Sequence, residues 1–290
     1  MEALYPIDHR SIPPTVEALG DLAPDATEAR IIGPPKDLAT LPPSFKLERL
    51  WLQNMRREVA ARLAPLFDPV QLSLTNIQTA DLGWLGELPR LRDLLIDWNT
   101  KLESFNFLRH VAPLSRLRGD GLKRTHRLDG LVHQPSLRSL WLGGGIDRRL
   151  EVATLEPLSR LVNLEHLFLI CMRLDEPSLA PLAGLRKLKR LRIQTNMAPM
   201  EEYARLAGAL PDTESDSLRG FKTLRRTLPF EVDLLDVIDD LDGEEQVIMV
   251  GKGGRRFKVG THRDQIVEQQ LRFRRIRDAE QARLQASRHS

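Results

Sequence analysis

Apolar residues recur along the chain in a short motif, Leu-x-x-Leu-x-Leu, whose copies follow one another at nearly constant spacing. The first positions of the copies are residues 47, 69, 91, 114, 137, 164 and 188, in steps of 22, 22, 23, 23, 27 and 24. An earlier copy reads Ala26, Ala29, Ile31. Positions 4 and 6 of the motif lie on the same side of an extended chain, so each copy predicts one short strand.

One repeat cannot bury its apolar side alone, so the spacing predicts a stack of repeats that share a continuous core. The alternative is a bundle of leucine-rich helices. Prolines shortly before many of the motifs, such as Pro89, Pro113 and Pro135, argue against long helices. The copy that starts at Leu114 has Gly119 in the third leucine position, so we expect the coil to be irregular there.

The run Leu182, Leu185, Leu188, Leu191, Ile193 resembles the leucine-rich-repeat family, particularly its short bacterial repeats. The resemblance covers about residues 47–196. It implies an α/β fold, a right-handed leucine-rich-repeat solenoid with a parallel β-sheet on its concave face, and a role in recognising proteins. One departure is that the family's asparagine at position 9 is matched only by Asn99 and Asn196. The other copies carry Met55, Ile77, Leu122, Gly145 and Met172 there.

Outside the repeats, the sequence predicts two flanking regions. Residues 1–46 are rich in proline and predict an N-terminal cap, and residues 47–211 predict the solenoid, whose last part is a helix over 200–210. Residues 212–290 predict a non-repeat helix–hairpin–helix block, which is either a C-terminal cap or a small second domain. Its predicted elements are an acidic helix over 228–241, strands over 246–250 and 255–259, and a basic helix over 266–284.

If the motif phase is right, residues at positions 3, 5 and 7 face the concave side of the sheet, where no core requires them. We expect the large apolar side chains of Trp51, Trp141 and Phe168 to be exposed there, as at many interface hot spots. The candidate partner-binding residues are Arg49, Trp51, Asp93, Asp97, Arg116, Arg118, Trp141, His166, Phe168, Arg190 and Arg192. Trp98, at position 8, lies near the same rim. The alternatives are that other segments cover this face, or that the phase is wrong by one residue.

Composition adds a second hypothesis for the partner. The net charge is only +3, but residues 231–245 hold eight acids and no base, and residues from 251 onward hold eleven Lys or Arg against four acids. The basic hairpin and helix could bind nucleic acid, with Phe257 and Phe273 as the only aromatics for base stacking. The neighbouring acidic run opposes this interpretation, because the two runs can neutralise each other. We therefore expect a protein partner in the first place and a nucleic acid in the second.

Catalytic and metal-binding patterns are not found in the sequence, so we expect a protein that is not an enzyme and holds no cofactor or metal. The single cysteine, Cys171, excludes a disulfide framework, and we interpret it as a buried or semi-buried structural thiol. No segment resembles a signal peptide or a membrane span, which predicts a cytoplasmic protein. The short repeats suggest a bacterial protein, and an effector, an immunity protein or a regulatory protein would fit.

Overall fold

The computed structural model describes residues 12–37, 46–145, 148–228 and 232–289. The chain divides into two compact units, Met1–Val152 and Ala153–Ser290. Each unit contains repeats that contribute one short parallel strand apiece, as the motif predicts.

The first unit is organised around a parallel sheet of six strands. Its strands are β1 Glu28–Ile32, β2 Arg49–Gln53, β3 Gln71–Thr75, β4 Asp93–Asp97, β5 Arg116–Asp120 and β6 Ser139–Gly143, followed by a short strand β7 Leu150–Val152. Equivalent motif positions lie side by side: Leu50 is in register with Leu72, and Leu72 with Leu94. The predicted leucine-rich-repeat architecture is confirmed, and the earlier motif copy is its first strand.

The core of the first unit lies between this sheet and a wall of turns. Motif leucines such as Leu50, Leu72 and Leu94 are almost completely buried. The facing wall consists of helix α1, Arg57–Phe67, and of 3-10 turns at Gly83–Glu87, Asn106–His110 and Asp129–His133. Helix α1 was not predicted; it buries Leu63 and Phe67 and accommodates Pro65 near its end.

The repeat around Leu114 is regular, so the expectation of an irregular coil there is wrong. Strand β5 is paired in register with both β4 and β6. A Cβ on Gly119 would lie 2.7 Å from Cδ1 of Leu122, whose side chain therefore occupies the space of the missing leucine. The residue at position 9 replaces the residue at position 6 within the core.

The second unit contains the last repeats and the C-terminal block. Its elements are β8 His166–Ile170, β9 Met172–Leu174, β10 Arg190–Ile193, α2 Met200–Ala209, β11 Phe221–Thr223, α3 Leu234–Val237, β12 Gln246–Met249, β13 Arg256–Lys258 and α4 Val259–His289. Strands β8 and β10 pair in parallel, with Leu167 beside Leu191. Strands β11, β12 and β13 form an antiparallel sheet.

The C-terminal block differs from its predicted elements in three places. The acidic helix, of which residues 229–231 lie outside the described residues, shrinks to α3, which begins where the Asp233 side chain accepts a hydrogen bond from the Leu235 backbone N–H. The predicted hairpin is present and gains β11 as a third strand. The basic helix begins earlier than predicted, at Val259, and has one non-helical residue, His262.

The C-terminal block continues the hydrogen bonding of the last repeat. The Leu191 N–H donates to the Glu214 carbonyl at 2.9 Å, and the Thr213 hydroxyl donates to the Leu188 carbonyl at 2.7 Å. Helix α4 packs on α2 so closely that a Cβ on Gly208 would lie 2.4 Å from the Arg277 carbonyl oxygen. These contacts favour a cap over a separate domain, while the predicted boundaries at 46 and 211 stay predictions.

The wall of turns provides a test of the stack. A Cβ on Gly130 would lie 2.0 Å from the Phe105 carbonyl oxygen on the preceding turn. Gly130→Ala must push two backbone segments apart, so we expect it to lower the free energy of unfolding by at least about 2 kcal/mol. The change is measured by urea denaturation followed by circular dichroism.

The matched control is Gly184→Ala in the second unit. A Cβ there has no atom within 4 Å, so the free energy of unfolding should stay within about 0.5 kcal/mol of wild type or rise. Equal effects of the two substitutions would contradict the close stacking of the turns.

Candidate partner-binding surface

Five of the six sheet strands of the first unit are followed by a residue with left-handed backbone at motif position 8. These residues are Gly33, Asn54, Asn76, Trp98 and Gly121, with φ of 73°, 52°, 56°, 60° and 66°. The N–H of each of the first four donates to the strand of the next repeat; Asn76, for example, reaches the Asp97 carbonyl at 2.8 Å and Trp98 reaches that of Asp120 at 2.9 Å. The turn therefore extends the backbone hydrogen bonding between neighbouring strands by one residue.

Trp98 is the unusual member of this series. Glycine has no Cβ to clash in the left-handed region, and asparagine tolerates it, but a bulky side chain is disfavoured by about 1–2 kcal/mol. Trp98 is nonetheless 46% exposed, so only about half of its surface is buried to offset this cost. The next repeat makes room for it: a Cβ on Gly121 would lie 3.1 Å from the Trp98 Cα.

Amide side chains line the neighbouring turns. The Asn76 amide donates to the Asn54 side-chain oxygen at 2.9 Å, and the Gln78 amide donates to Asn76 at 2.8 Å and to the Trp98 carbonyl. The Gln78 side-chain oxygen accepts from the Thr100 hydroxyl at 2.7 Å. These amide hydrogen bonds connect the neighbouring turns and hold the backbone carbonyl of Trp98 in place.

We define the open face as the side of the sheet opposite the leucine core. The aromatic side chains that we expected to be exposed on this face are buried. Trp51, Trp141 and Phe168 are only 2%, 5% and 1% exposed, so the expectation that they are exposed is wrong. Within the first unit, neighbours in register flank both indoles at about 4.8 Å. The Arg49 guanidinium lies 5.6 Å from the Trp51 ring, and that of Arg118 lies 5.1 Å from the Trp141 ring. Arginine side chains therefore lie over both indoles on the open face.

Strands β4 and β5 bring the middle candidates together into a charged cluster of Asp93, Asp97, Arg116, Arg118 and Asp120. Arg116 forms an ion pair with Asp93, and Arg118 contacts Asp120 at 3.0 Å. The Arg118 Nε lies 3.6 Å from the Asp97 Oδ1, which is beyond hydrogen-bond distance. The cluster holds three acids and two bases, and Asp97 has the weaker partner.

Asp97 is the electrostatically perturbed member of the cluster. Burial raises the pKa of Asp97 from 3.8 to about 6, Arg118 lowers it and the nearby Asp120 raises it again. Its Oδ1 is enclosed, and among the described residues it has no hydrogen-bond donor. A carboxylate in this position costs stability when it is ionised.

The remaining candidates lie elsewhere. Arg49 and Trp51 lie on β2, where Arg49 also forms an ion pair with Glu28 at 2.5 Å. His166, Phe168, Arg190 and Arg192 belong to the second unit. Arg190 pairs with Glu214 at 2.8 Å, Arg192 is exposed, and burial together with Arg190 and Lys189 lowers the pKa of His166 against the opposing effect of Glu165.

Two other sequence interpretations change with the structure. Cys171 occupies position 8 of its repeat with φ of 50° and is exposed, so the interpretation as a buried thiol is wrong. Position 8 lies at the rim, outside the core. Of the two asparagines at position 9, Asn99 is buried and bonds the Thr79 carbonyl at 2.9 Å, whereas Asn196 is exposed.

The first unit also has an open groove of about 980 Å³, lined partly by Asn54, Asn76, Gln78 and Lys101. Within the described ranges, no group of three or more histidine, cysteine, aspartate or glutamate side chains could hold a metal ion. None of the helices in the described part of the chain is long and apolar enough to cross a membrane.

Comparisons with known proteins give structural likenesses alone. No protein-family model and no curated protein matches the chain. An internalin from Listeria monocytogenes is 17% identical with a TM-score of 0.43, over 58% of this chain and 60% of its own. An internalin C2 from the same bacterium is 21% identical with a TM-score of 0.41, over 55% of this chain and 69% of its own. Such scores support no conclusion about function, and the chain spans 60% of the length of the first structure.

The raised pKa of Asp97 predicts an unusual dependence of stability on pH. Because the pKa is about 6 in the folded protein and 3.8 for an ordinary aspartate, the folded state binds more protons between these values. The free energy of unfolding should therefore fall as the pH rises through this window. Asp97→Asn should remove this fall, which is on the order of 2 kcal/mol. Urea unfolding at about pH 4 and about pH 7 measures it.

The control for this prediction is Glu103→Gln, which removes one exposed carboxylate from the same unit. It should leave the pH dependence as in wild type. If Asp97→Asn and Glu103→Gln gave the same pH profile, Asp97 would not carry the cost of burial described above.

Proposed function

We propose that this protein is a non-enzymatic protein-interaction module that binds its partner through the open face of the sheet. The observation that carries the proposal is Trp98, a half-exposed indole on left-handed backbone at the end of β4. The other four position-8 residues of the first unit that have left-handed backbone are glycine or asparagine, which adopt it at little cost. Residues held in sparsely populated backbone conformations cluster at functional sites.

The surroundings of Trp98 support a protein partner. Tryptophan and arginine dominate protein interface hot spots, and Trp98 directly follows β4, one of the two strands that carry the charged cluster. The face is a sheet surface and not a deep pocket, which suits a macromolecule better than a small ligand. Trp51, Trp141 and Phe168 then act as support under the surface, while Arg192 and the half-buried His166 remain proposed contacts in the second unit.

Trp98→Asn tests the proposal without unfolding the protein. Relief of backbone strain offsets the lost ring contacts, so the free energy of unfolding should stay within about 1 kcal/mol of wild type. The affinity for a partner isolated by affinity capture and mass spectrometry should fall at least about tenfold, as for a hot-spot residue. Surface plasmon resonance with the purified partner gives the affinity.

Val132→Asn is the matched control, because Val132 is 38% exposed on the wall of turns and not on the open face. It should leave the affinity unchanged. A partner that binds the Trp98→Asn variant as tightly as wild type would rule out the open face around β4 as the contact surface.

The second candidate, nucleic-acid binding by the C-terminal block, is less well supported. Phe257 and Phe273 are buried and cannot stack on bases. Many of the basic side chains are paired: Lys258 with Glu244, Arg263 with Asp239, Arg272 with Glu201, and Arg274 with Asp233 and Asp236. The acidic run thus supplies several of the partners, which reduces the positive potential available to a phosphate backbone.

For this reason we expect no salt-sensitive binding of single-stranded RNA or DNA. Fluorescence anisotropy with a labelled oligonucleotide at about 50 and about 200 mM salt measures it, since phosphate contacts weaken strongly over this range. Binding that weakens steeply with salt and is lost in an Arg255→Ala, Arg256→Ala variant would favour the second candidate instead.

A further inference from the structure

Three amide side chains that line the open groove of the first unit, those of Asn54, Asn76 and Gln78, form a chain of hydrogen bonds. The Gln78 side-chain oxygen accepts the Thr100 backbone N–H at 3.1 Å, and its nitrogen donates to the Trp98 backbone carbonyl. A backbone N–H only donates and a backbone carbonyl only accepts, so these two contacts fix which end of the Gln78 amide is oxygen and which is nitrogen.

The orientation of Gln78 determines that of the other two amides. Its nitrogen donates to the Asn76 side-chain oxygen at 2.8 Å, which leaves the Asn76 nitrogen to donate to the Asn54 side-chain oxygen at 2.9 Å. The last group of the chain is therefore the Asn54 amide nitrogen. Asn54 is exposed, and among the described residues neither of its two side-chain N–H groups has an acceptor. The groove thus offers hydrogen-bond donors to a ligand with acceptor atoms.

The charge of the groove agrees with such a ligand. Arg56 and Lys101 line it and are exposed, and neither side chain forms an ion pair or a hydrogen bond within the described ranges. Arg57 is paired with Asp81 at 2.7 Å. Glu58 is the only acid that lines the described part of the groove. Two bases without an ion pair against one acid leave the groove with a positive balance.

We infer that this groove binds an acidic peptide segment, whose carboxylate and carbonyl oxygens accept from the Asn54 amide and whose negative charge is met by Arg56 and Lys101. The groove has a volume of about 980 Å³, far more than a single carboxylate fills. It adjoins the proposed contact surface, because Gln78 lines it and also bonds the Trp98 carbonyl. That the segment belongs to the protein partner rests on the proposed function.

An acidic peptide suits the groove better than a nucleic acid does. A phosphate backbone is bound by many bases in a row, and its affinity depends on their number. Here only two bases are available, and Glu58 lies among them. Carboxylates and peptide carbonyls, in contrast, are ordinary acceptors for side-chain amides and for Arg or Lys.

The test uses the full chain and a dye-labelled peptide, acetyl-Glu-Gly-Glu-Gly-Glu-amide, with the same peptide containing glutamine as its neutral counterpart. Fluorescence anisotropy at low salt measures both affinities. The glutamate peptide should bind at least about tenfold more tightly than the glutamine peptide, because only the former makes charge-assisted contacts.

Asn54→Gly tests the donor at the end of the amide chain. Gly33 and Gly121 adopt left-handed backbone at the same motif position, so the substitution removes the amide and keeps the turn. It should weaken binding of the glutamate peptide about tenfold, the effect of one hydrogen bond to a charged group. Urea denaturation confirms that the variant is folded.

Charge variants test the rest of the groove. Lys101→Gln should weaken binding of the glutamate peptide about threefold to fivefold, and Glu58→Gln should strengthen it, since it removes a repulsion. The matched control is Arg124→Gln. Arg124 is an exposed base at position 11 of the next repeat, as Lys101 is of its own, but it does not line the groove. This control should leave the affinity unchanged.

Equal affinities for the glutamate and glutamine peptides, unchanged affinity of Asn54→Gly, or equal effects of Lys101→Gln and Arg124→Gln would overturn the inference. Full displacement of the peptide by an equal concentration of free glutamate or of a single-stranded DNA oligonucleotide would overturn it as well. The first would indicate a small carboxylate as the ligand, and the second a general attraction of polyanions.

The outcome is separable from the proposed function. If Trp98→Asn loses the protein partner while the glutamate peptide does not bind, protein binding stands and the assignment of the groove falls. If the glutamate peptide binds as expected while Trp98→Asn keeps the partner, the groove is confirmed as a site for acidic segments and the open-face proposal falls.

Discussion

The parallel register between neighbouring repeats is the constraint on which the rest of the structure depends. Each motif leucine is buried because its equivalent lies beside it on the next strand, as Leu50, Leu72 and Leu94 do. The same register aligns every other motif position, including the left-handed turn that passes a hydrogen bond to the next strand. Side chains at equivalent positions of the open face are therefore aligned in rows, as the core leucines are, although no leucine is required there.

This order explains which parts of the fold could be predicted from sequence. The spacing of the leucines predicts strands and their stacking, because both follow from the burial of one face. The sequence identifies which residues lie on the open face but not how exposed each side chain is. The exposure of Trp51, for example, depends on Arg49 and on neighbours that are distant in sequence. Gly119 was interpreted as a defect because the compensation by Leu122 comes from another motif position.

The candidate site shows the same division. Asp93, Asp97, Arg116 and Arg118 were named as candidates from their motif positions, and they lie on the neighbouring strands β4 and β5. Trp98 was placed near the rim of this face, as it is, whereas the burial of Trp51, Trp141 and Phe168 was not predicted. A signal was present, since glycine or asparagine at position 8 of four other repeats indicates left-handed backbone. In the C-terminal block, β11 has only three residues, and its pairing depends on the later strand β12, so local pattern does not reveal it.

The left-handed turn at position 8 has a consequence for how such a surface can change. Its backbone is set by the ladder and not by the side chain it carries, because glycine, asparagine and tryptophan all adopt it in neighbouring repeats. The residue at position 8 can therefore be substituted in one repeat at a time, at intervals of about 4.8 Å, without altering the stacked strands. Under the proposed function, a single substitution at position 8 of one repeat can change the specificity for a partner. Trp98 is one such position.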